Sequence, residues 1–281
     1  MTTYIIAIDC RPEFISVLKT VFDRGGVSIL SLSSAELVSA LCDVDCSSLV
    51  AAKRSVLKTA HFEIELASVA ATFAEPMSGN LLGAESDSDF VMSERIAILA
   101  FFRRLAGRAV NPPTCGSFFS YTGSLLEQWE VFSASGTPCP SWRIADPGEI
   151  GHAEVQILRP FDLRLRMLCD TPEDFSAPAL PFSIAVQRPK GTVALFAFCS
   201  TATHNLLVTE SGLIPFSPPR AVGAALARAA DLARRRYGLD YGEIVYSHLV
   251  ETRFWSVSPM FPLHHLNFGS ADALRRGLLT L

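Results

Sequence analysis

The apolar positions fall into short blocks whose spacing changes along the chain. Tyr4-Ile5-Ile6-Ala7-Ile8 is an unbroken apolar run of strand length, residues 11–22 carry apolar side chains at helical spacing up to Gly25-Gly26, and Val27-Ser28-Ile29-Leu30 reads as a second strand. This is a β-α-β opening. Ser33 and Glu36 have the S-x-x-E spacing of a capping box and start a helix over residues 37–41. Phe62-Glu63-Ile64-Glu65-Leu66 alternates with the period of two expected of a half-buried strand. Residues 76–89 are rich in Ser, Gly and acidic side chains and read as a loop, after which a helix over 93–106 closes on Gly107.

Beyond Val110-Asn111-Pro112-Pro113 the pattern predicts a helix over 124–135, stopped by Gly136 and the Pro138-Cys139-Pro140 turn. Strand-like runs follow at 155–158, 163–168, 182–187 and 193–199, and His204 and Asn205 are read as part of a loop. Pro218-Pro219 opens a long helix over 220–237, with Arg234-Arg235-Arg236 at the end where cations favour the helix dipole and Gly238 as its stop. Strands over 243–249 and 253–257 and a helix from Ser270 onward finish the chain. No repeat or low-complexity tract interrupts the order, and the class is α/β (α+β).

With 49% apolar and 19% charged residues among 281, the chain can bury a proper core, which excludes wholesale disorder and collagen-like fibres. Its 28 acidic and 24 basic residues leave a net charge of −4, with no surplus of cations to neutralise a phosphate backbone, so nucleic acid is not expected as a partner. No stretch of about 18 uncharged apolar residues is present, and Asp9 breaks the first apolar run before it resembles a signal peptide, so a cytoplasmic protein without a membrane partner is expected. The mean hydropathy of +0.30 beside a thin charged shell predicts self-association as a dimer, or pairing with a homologue. Seven scattered cysteines without a C-x-x-C pair read as small buried hydrophobes.

Candidate chemistry is sparse. None of the histidines His61, His152, His204, His248, His264 and His265 sits in an H-E-x-x-H motif or beside a second ligand at helical spacing, so spacing alone gives no metal site. Cys115-Gly116-Ser117-Phe118-Phe119 lacks the second glycine of a nucleophile elbow, and neither Ser117 nor Cys115 has an identifiable base. Arg164 and Arg166 share one face of a predicted strand, and Arg188 and Lys190 flank Pro189 at a predicted turn. Such groups can pair with acidic peptide side chains, although a solvated strand edge and hairpin tip have the same pattern. Phe254, Trp255, Met260 and Phe261 read as core.

Three stretches carry a family resemblance: Ser93-Glu94-Arg95 through Asn111-Pro112-Pro113, residues 125–140, and Ala229-Ala230-Asp231-Leu232-Ala233 through Gly238-Leu239-Asp240-Tyr241-Gly242 to Phe254-Trp255-Ser256-Val257-Ser258-Pro259. In their order they resemble the ATP-grasp carboxylate–amine ligases, particularly the branch that macrocyclises ribosomally synthesised and post-translationally modified peptides (RiPPs) such as the microviridins. The resemblance implies a three-subdomain ATP-grasp-like architecture. Its parts are an N-terminal α/β domain over 1–110, a central nucleotide-lobe-like region over 111–190 and a C-terminal lobe over 191–281.

The departures from the family pattern carry the functional expectation. Family members place an Asp in the first closing strand and a Glu and an Asn in the second; the matching positions here are Val245, Ser256 and Ser258. A valine cannot bind Mg²⁺, whose sites rest on carboxylates and substrate phosphates. The nucleotide-binding lysines of the family are also missing: the chain has four lysines, none near Ser124, and Arg159-Pro160 stands where a Lys-Pro is usual, leaving Arg159 as a residual phosphate contact. The resemblance thus implies a pseudo-ligase without cofactor that holds the leader of a precursor peptide, similar to the ATP-grasp-like leader-binding proteins of the crocagin pathway. Arg164, Arg166, Arg188, Lys190, His204 and Asn205 are the expected peptide contacts. Two alternatives stay open: an active ATP- and Mg²⁺-dependent ligase, and a metal-free peptide hydrolase or cyclase using the old cleft.

Overall fold

The computed structural model describes residues 2–23, 26–41, 45, 47, 54–75, 89–114, 122–145, 154–157, 183–187 and 189–281. The N-terminal part runs β1 (Thr3–Ile8), α1 (Pro12–Phe22), β2 (Val27–Leu32), α2 (Ser34–Leu41), β3 (Val56–Lys58), β4 (Glu63–Glu65), β5 (Val69–Ala74), α3 (Asp89–Leu105) and β6 (Arg108–Ala109). Strands β2-β1-β5-β6 form one parallel sheet, and the β1-α1-β2 unit is the opening expected from the pattern. Its central strand β1 is wholly apolar from Ile5 to Ile8 because both of its faces are covered. The capping box before α2 is present in both directions: the Ser33 amide donates to Glu36 Oε2 at 2.8 Å and the Glu36 amide to Ser33 Oγ at 3.1 Å. Gly107 ends the α3 segment at φ +68°, where a Cβ would lie 2.4 Å from the Val69 carbonyl oxygen, so only glycine lets the chain turn into β6.

The rest of the described chain comprises α4 (Leu125–Ala134), β7 (Trp142–Ala145), β8 (Glu154–Ile157), β9 (Ser183–Gln187), β10 (Thr192–Cys199), β11 (Ala202–Thr209), β12 (Gly212–Pro215), α5 (Arg220–Tyr237), β13 (Tyr241–His248), β14 (Thr252–Ser258) and α6 (Asp272–Leu279). Strands β7-β9-β8 make a small antiparallel sheet, and β12-β11-β10-β13-β14 make the large one. One face of the large sheet packs under α5 and α4, where Phe132 stacks on Phe254 at 3.6 Å between ring centroids. The other face meets α6 and the N-terminal sheet: Phe14 of α1 stacks on Phe261 at 4.8 Å and meets Tyr241 edge-on at 6.0 Å. Ile5, Phe73, Ala197, Cys199, Leu274 and Leu278 complete this shared core.

Two polar links cross the same junction. Arg11 donates to the fully buried Glu75 and to the Phe261 carbonyl at 2.7 Å. Asn111, 1% exposed and in the left-handed region at φ 47°, donates from Nδ2 to the Tyr241 and Pro259 carbonyls, and its Oδ1 accepts from the Asp240 and Tyr241 amides.

The structure departs from the sequence reading around His204 and Asn205. They lie within β11, not in a loop, and β12 follows directly. A buried histidine and a half-buried asparagine stand where apolar residues would have marked the alternation, and this hides the strand. Strand β7 carries exposed Trp142 and Ile144 and likewise shows no alternating pattern. Among the described residues no helix is long and apolar enough to cross a membrane. The predicted strand over 163–168 and the Ser117 and Cys115 stretch lie outside the described residues.

Candidate functional site

Antiparallel pairing brings residues far apart in sequence into rows across the large sheet, because directly paired residues project to the same side. One row reads Leu206, Leu195, Val245, Ser256 on strands β11, β10, β13 and β14. The neighbouring row, on the same face, reads His204, Ala197, Glu243, Ser258. The three positions singled out by the family resemblance therefore do gather: Val245 faces Ser256 directly, and Ser258 is two residues further along the same edge. Val245 is 3% exposed, and the fully buried Ser256 hydroxyl has no hydrogen-bond partner among the described residues. This row is apolar or neutral along its whole length.

The polar groups sit one row over. Glu243 Oε2 lies 2.8 Å from His265 Nε2 and 2.6 Å from His264 Nε2, both delivered by the 3₁₀ turn Leu263–Asn267. His265 Nδ1 is 2.9 Å from His204 Nδ1, and His204 Nε2 is 2.8 Å from Ser270 Oγ. A continuous polar chain thus runs from Glu243 through His265 and His204 to Ser270. Burial works to raise the Glu243 pKa, but its contacts with His264 and His265 outweigh this and hold it at about 2. Burial pushes His204 down to about 4, with the neighbouring His265 adding to the effect. His265 is likewise lowered by burial, partly offset by Glu243.

The other residues named from sequence scatter. Asn205 is on the opposite face from His204, where its Oδ1 accepts from Tyr246 Oη at 3.4 Å, so the structure does not bring this pair together. Lys190 is exposed in the connection between β9 and β10. Arg159, Arg164, Arg166 and Arg188 lie outside the described residues. Of the four residues read as core, Phe254, Trp255 and Phe261 are buried and Met260 is only half-buried. A concavity of about 270 Å³ on the helix-covered side of the sheet is lined by Thr137, Arg228, Asp231, Arg235, Tyr246 and Phe254.

Sequence reading missed the cluster of Glu243, His264 and His265. The two histidines are adjacent in the chain and their acidic partner is some twenty positions away, so no local spacing marks them. The available signal was the alternation: Glu243 is two residues before Val245 on one strand and so shares its face.

Comparison by sequence matches no protein-family profile and no curated protein. Comparison by structure is informative. The macrocyclase MdnC from Microcystis aeruginosa MRC, bound with precursor peptide MdnA, superposes with a TM-score of 0.69 at 15% identity over 100% of both chains. A RiPP-associated ATP-grasp ligase from Chryseobacterium gregarium, in complex with ADP and a leader and core peptide, gives 0.65 at 12% identity over 99% of this chain and 96% of that one. The ATP-grasp ligase PsnB, complexed with a minimal precursor, gives 0.65 at 14% identity over 100% of this chain and 99% of that one. The arrangement of helices and sheets described above is the ATP-grasp-like fold of the RiPP-associated ligases.

Proposed function

We propose that this chain holds the leader segment of a ribosomally made precursor peptide and carries out no ATP-dependent ligation. One observation carries the reading: the scaffold is kept along its full length, while the paired positions Val245 and Ser256, with Ser258 beside them, carry no carboxylate. Mg²⁺ is ordinarily held by one or two carboxylates together with substrate phosphates, and it spreads the charge that builds up as an acyl phosphate forms. A buried valine offers no ligand atom and a serine hydroxyl only a weak neutral one. The peptide complexes formed by MdnC, PsnB and the Chryseobacterium ligase support a peptide as the ligand class.

In this reading the basic side chains Arg164, Arg166, Arg188 and Lys190 pair with acidic groups of the leader, and a buried apolar anchor supplies most of the affinity. The exposed Trp142 and Ile144 of β7 give the apolar surface for association with a second copy or a homologue, which light scattering over a range of concentrations reads directly. The test of the reading pairs two titrations. A fluorescent leader peptide from the co-encoded precursor should bind at or below tens of micromolar protein, and Arg164→Ala should weaken it by about 1–3 kcal/mol. Calorimetry with Mg-ATP should show no saturable heat at millimolar nucleotide; a micromolar dissociation constant would restore the active ligase.

A further inference from the structure

We propose that Glu243, His264 and His265 form a site for a divalent transition-metal ion of the zinc class, with one coordination position open to solvent. The inference is independent of the peptide reading; of the three positions matched to the family's metal ligands, Val245 and Ser256 lie in the adjacent row and Ser258 pairs directly with Glu243. Three observations carry it. First, two imidazole nitrogens and a carboxylate oxygen lie within 4.8 Å of one another, the donor set that suits zinc and its neighbours better than Mg²⁺ or Ca²⁺. Second, His264 Nε2 is buried and lies 2.6 Å from Glu243 Oε2 without the alignment of an ordinary hydrogen bond, so nitrogen and oxygen already face one another where an ion would sit between them. Third, His265 has the outer partner that a metal-bound histidine needs. With its Nε2 on the ion, its Nδ1–H donates to His204 Nδ1, and His204 Nε2–H in turn donates to Ser270 Oγ.

The site is also accessible. His265 is fully buried, but the His264 side chain is 40% exposed and the Glu243 side chain 14%, which leaves an approach from one side. Ligand atoms at about 2.0–2.2 Å from a zinc ion in tetrahedral geometry lie roughly 3.3 Å apart, so the two carboxylate–imidazole separations of 2.6 and 2.8 Å must open by about 0.5–0.7 Å. The half-exposed His264 ring has room for that movement. Three protein ligands with a solvent position make an open site, unlike the closed four-ligand sites that only hold a fold together.

The experiment uses the full chain without an affinity tag, stripped with a chelator and titrated with Co²⁺, reading visible d–d absorption. Saturation at one equivalent and displacement of Co²⁺ by Zn²⁺ are expected. Loss of an outer-shell partner alone typically costs 10–100-fold in affinity, so His264→Ala should weaken Co²⁺ binding by about 100-fold or more, with thermal melting confirming the fold. Glu243→Gln, which keeps the shape but removes the charge, should weaken it as well. Absence of a saturable band in the parent protein, or unchanged affinity in both variants, would overturn the proposal and leave a metal-free cluster of carboxylate and imidazoles.

Discussion

Asn111 shows how much one residue can fix. Its left-handed backbone is a conformation that asparagine tolerates better than most side chains, and from there its amide meets four backbone groups at the start of β13 and after β14. Buried backbone groups left without partners cost about 1–3 kcal/mol each, so Asn111→Ala should lower unfolding stability by at least about 3 kcal/mol in denaturant melts. Asn111→Asp keeps a similar backbone preference but replaces two donors by an acceptor facing two carbonyls, and should be no better. A melt unchanged in both variants would remove Asn111 from this role. The residue was visible in sequence as the head of an Asn-Pro-Pro turn; its partners were not, because they lie some 130 positions away and depend on how the sheets dock. The same limit hid the Glu243 cluster. Val245, Ser256 and Ser258 could be aligned to a family pattern; that they share a face of the sheet follows only from the strand pairing.

At the scale of elements, what was legible followed local rules. The helix over Arg220–Tyr237 could be bounded at both ends from Pro219 and Gly238, and the S-x-x-E motif at Ser33 does cap its helix; Ser124 and Glu127 form a second capping box that the sequence reading did not single out. Strands whose inward positions are polar, such as β11, were not legible. The Glu36 carboxyl is held below its ordinary value by hydrogen bonds from the Ser33 amide and hydroxyl. A lowered folded-state pKa means that its contribution is present above the unfolded value of about 4.3 and fades as pH falls through the folded value. The melting temperature of the parent protein should therefore exceed that of Glu36→Ala near neutral pH, and the gap should close toward pH 3. A gap that widens on acidification would contradict the cap.

The outer edge of β14 is another element-level device. Gln128 of α4 donates to the Val257 carbonyl at 3.3 Å and accepts from its amide at 2.8 Å, Trp129 Nε1 donates to the Trp255 carbonyl, and the Phe254 amide reaches the Pro138 carbonyl. Side chains and a loop thus replace the next strand and close an edge that would otherwise offer itself for pairing. Gln128→Ala should cost about 1–3 kcal/mol and speed hydrogen exchange at the Val257 amide, while exchange at Ile244 in the middle of the sheet changes less. Equal acceleration at both amides would mean that the edge is not separately held.

Across the whole molecule, the N-terminal sheet and the large sheet share a core through Phe14, Tyr241 and Phe261, and the Arg11–Glu75 pair is clamped to the Phe261 carbonyl at the same place. The fold therefore presents one fixed face of the large sheet, apolar in the row where a nucleotide metal would be expected and polar in the row beside it. In the proposed function such a face serves to hold a peptide and not to carry phosphoryl chemistry. The most direct test is to incubate the protein with its co-encoded, full-length precursor peptide and Mg-ATP, and to read both the complex and the peptide by native mass spectrometry. A leader-binding chain without ligase activity gives a complex that contains precursor of unchanged mass. Precursor lighter by one or more waters, formed only when ATP is present, would show that the chain closes ester or amide bonds and would contradict the proposed function.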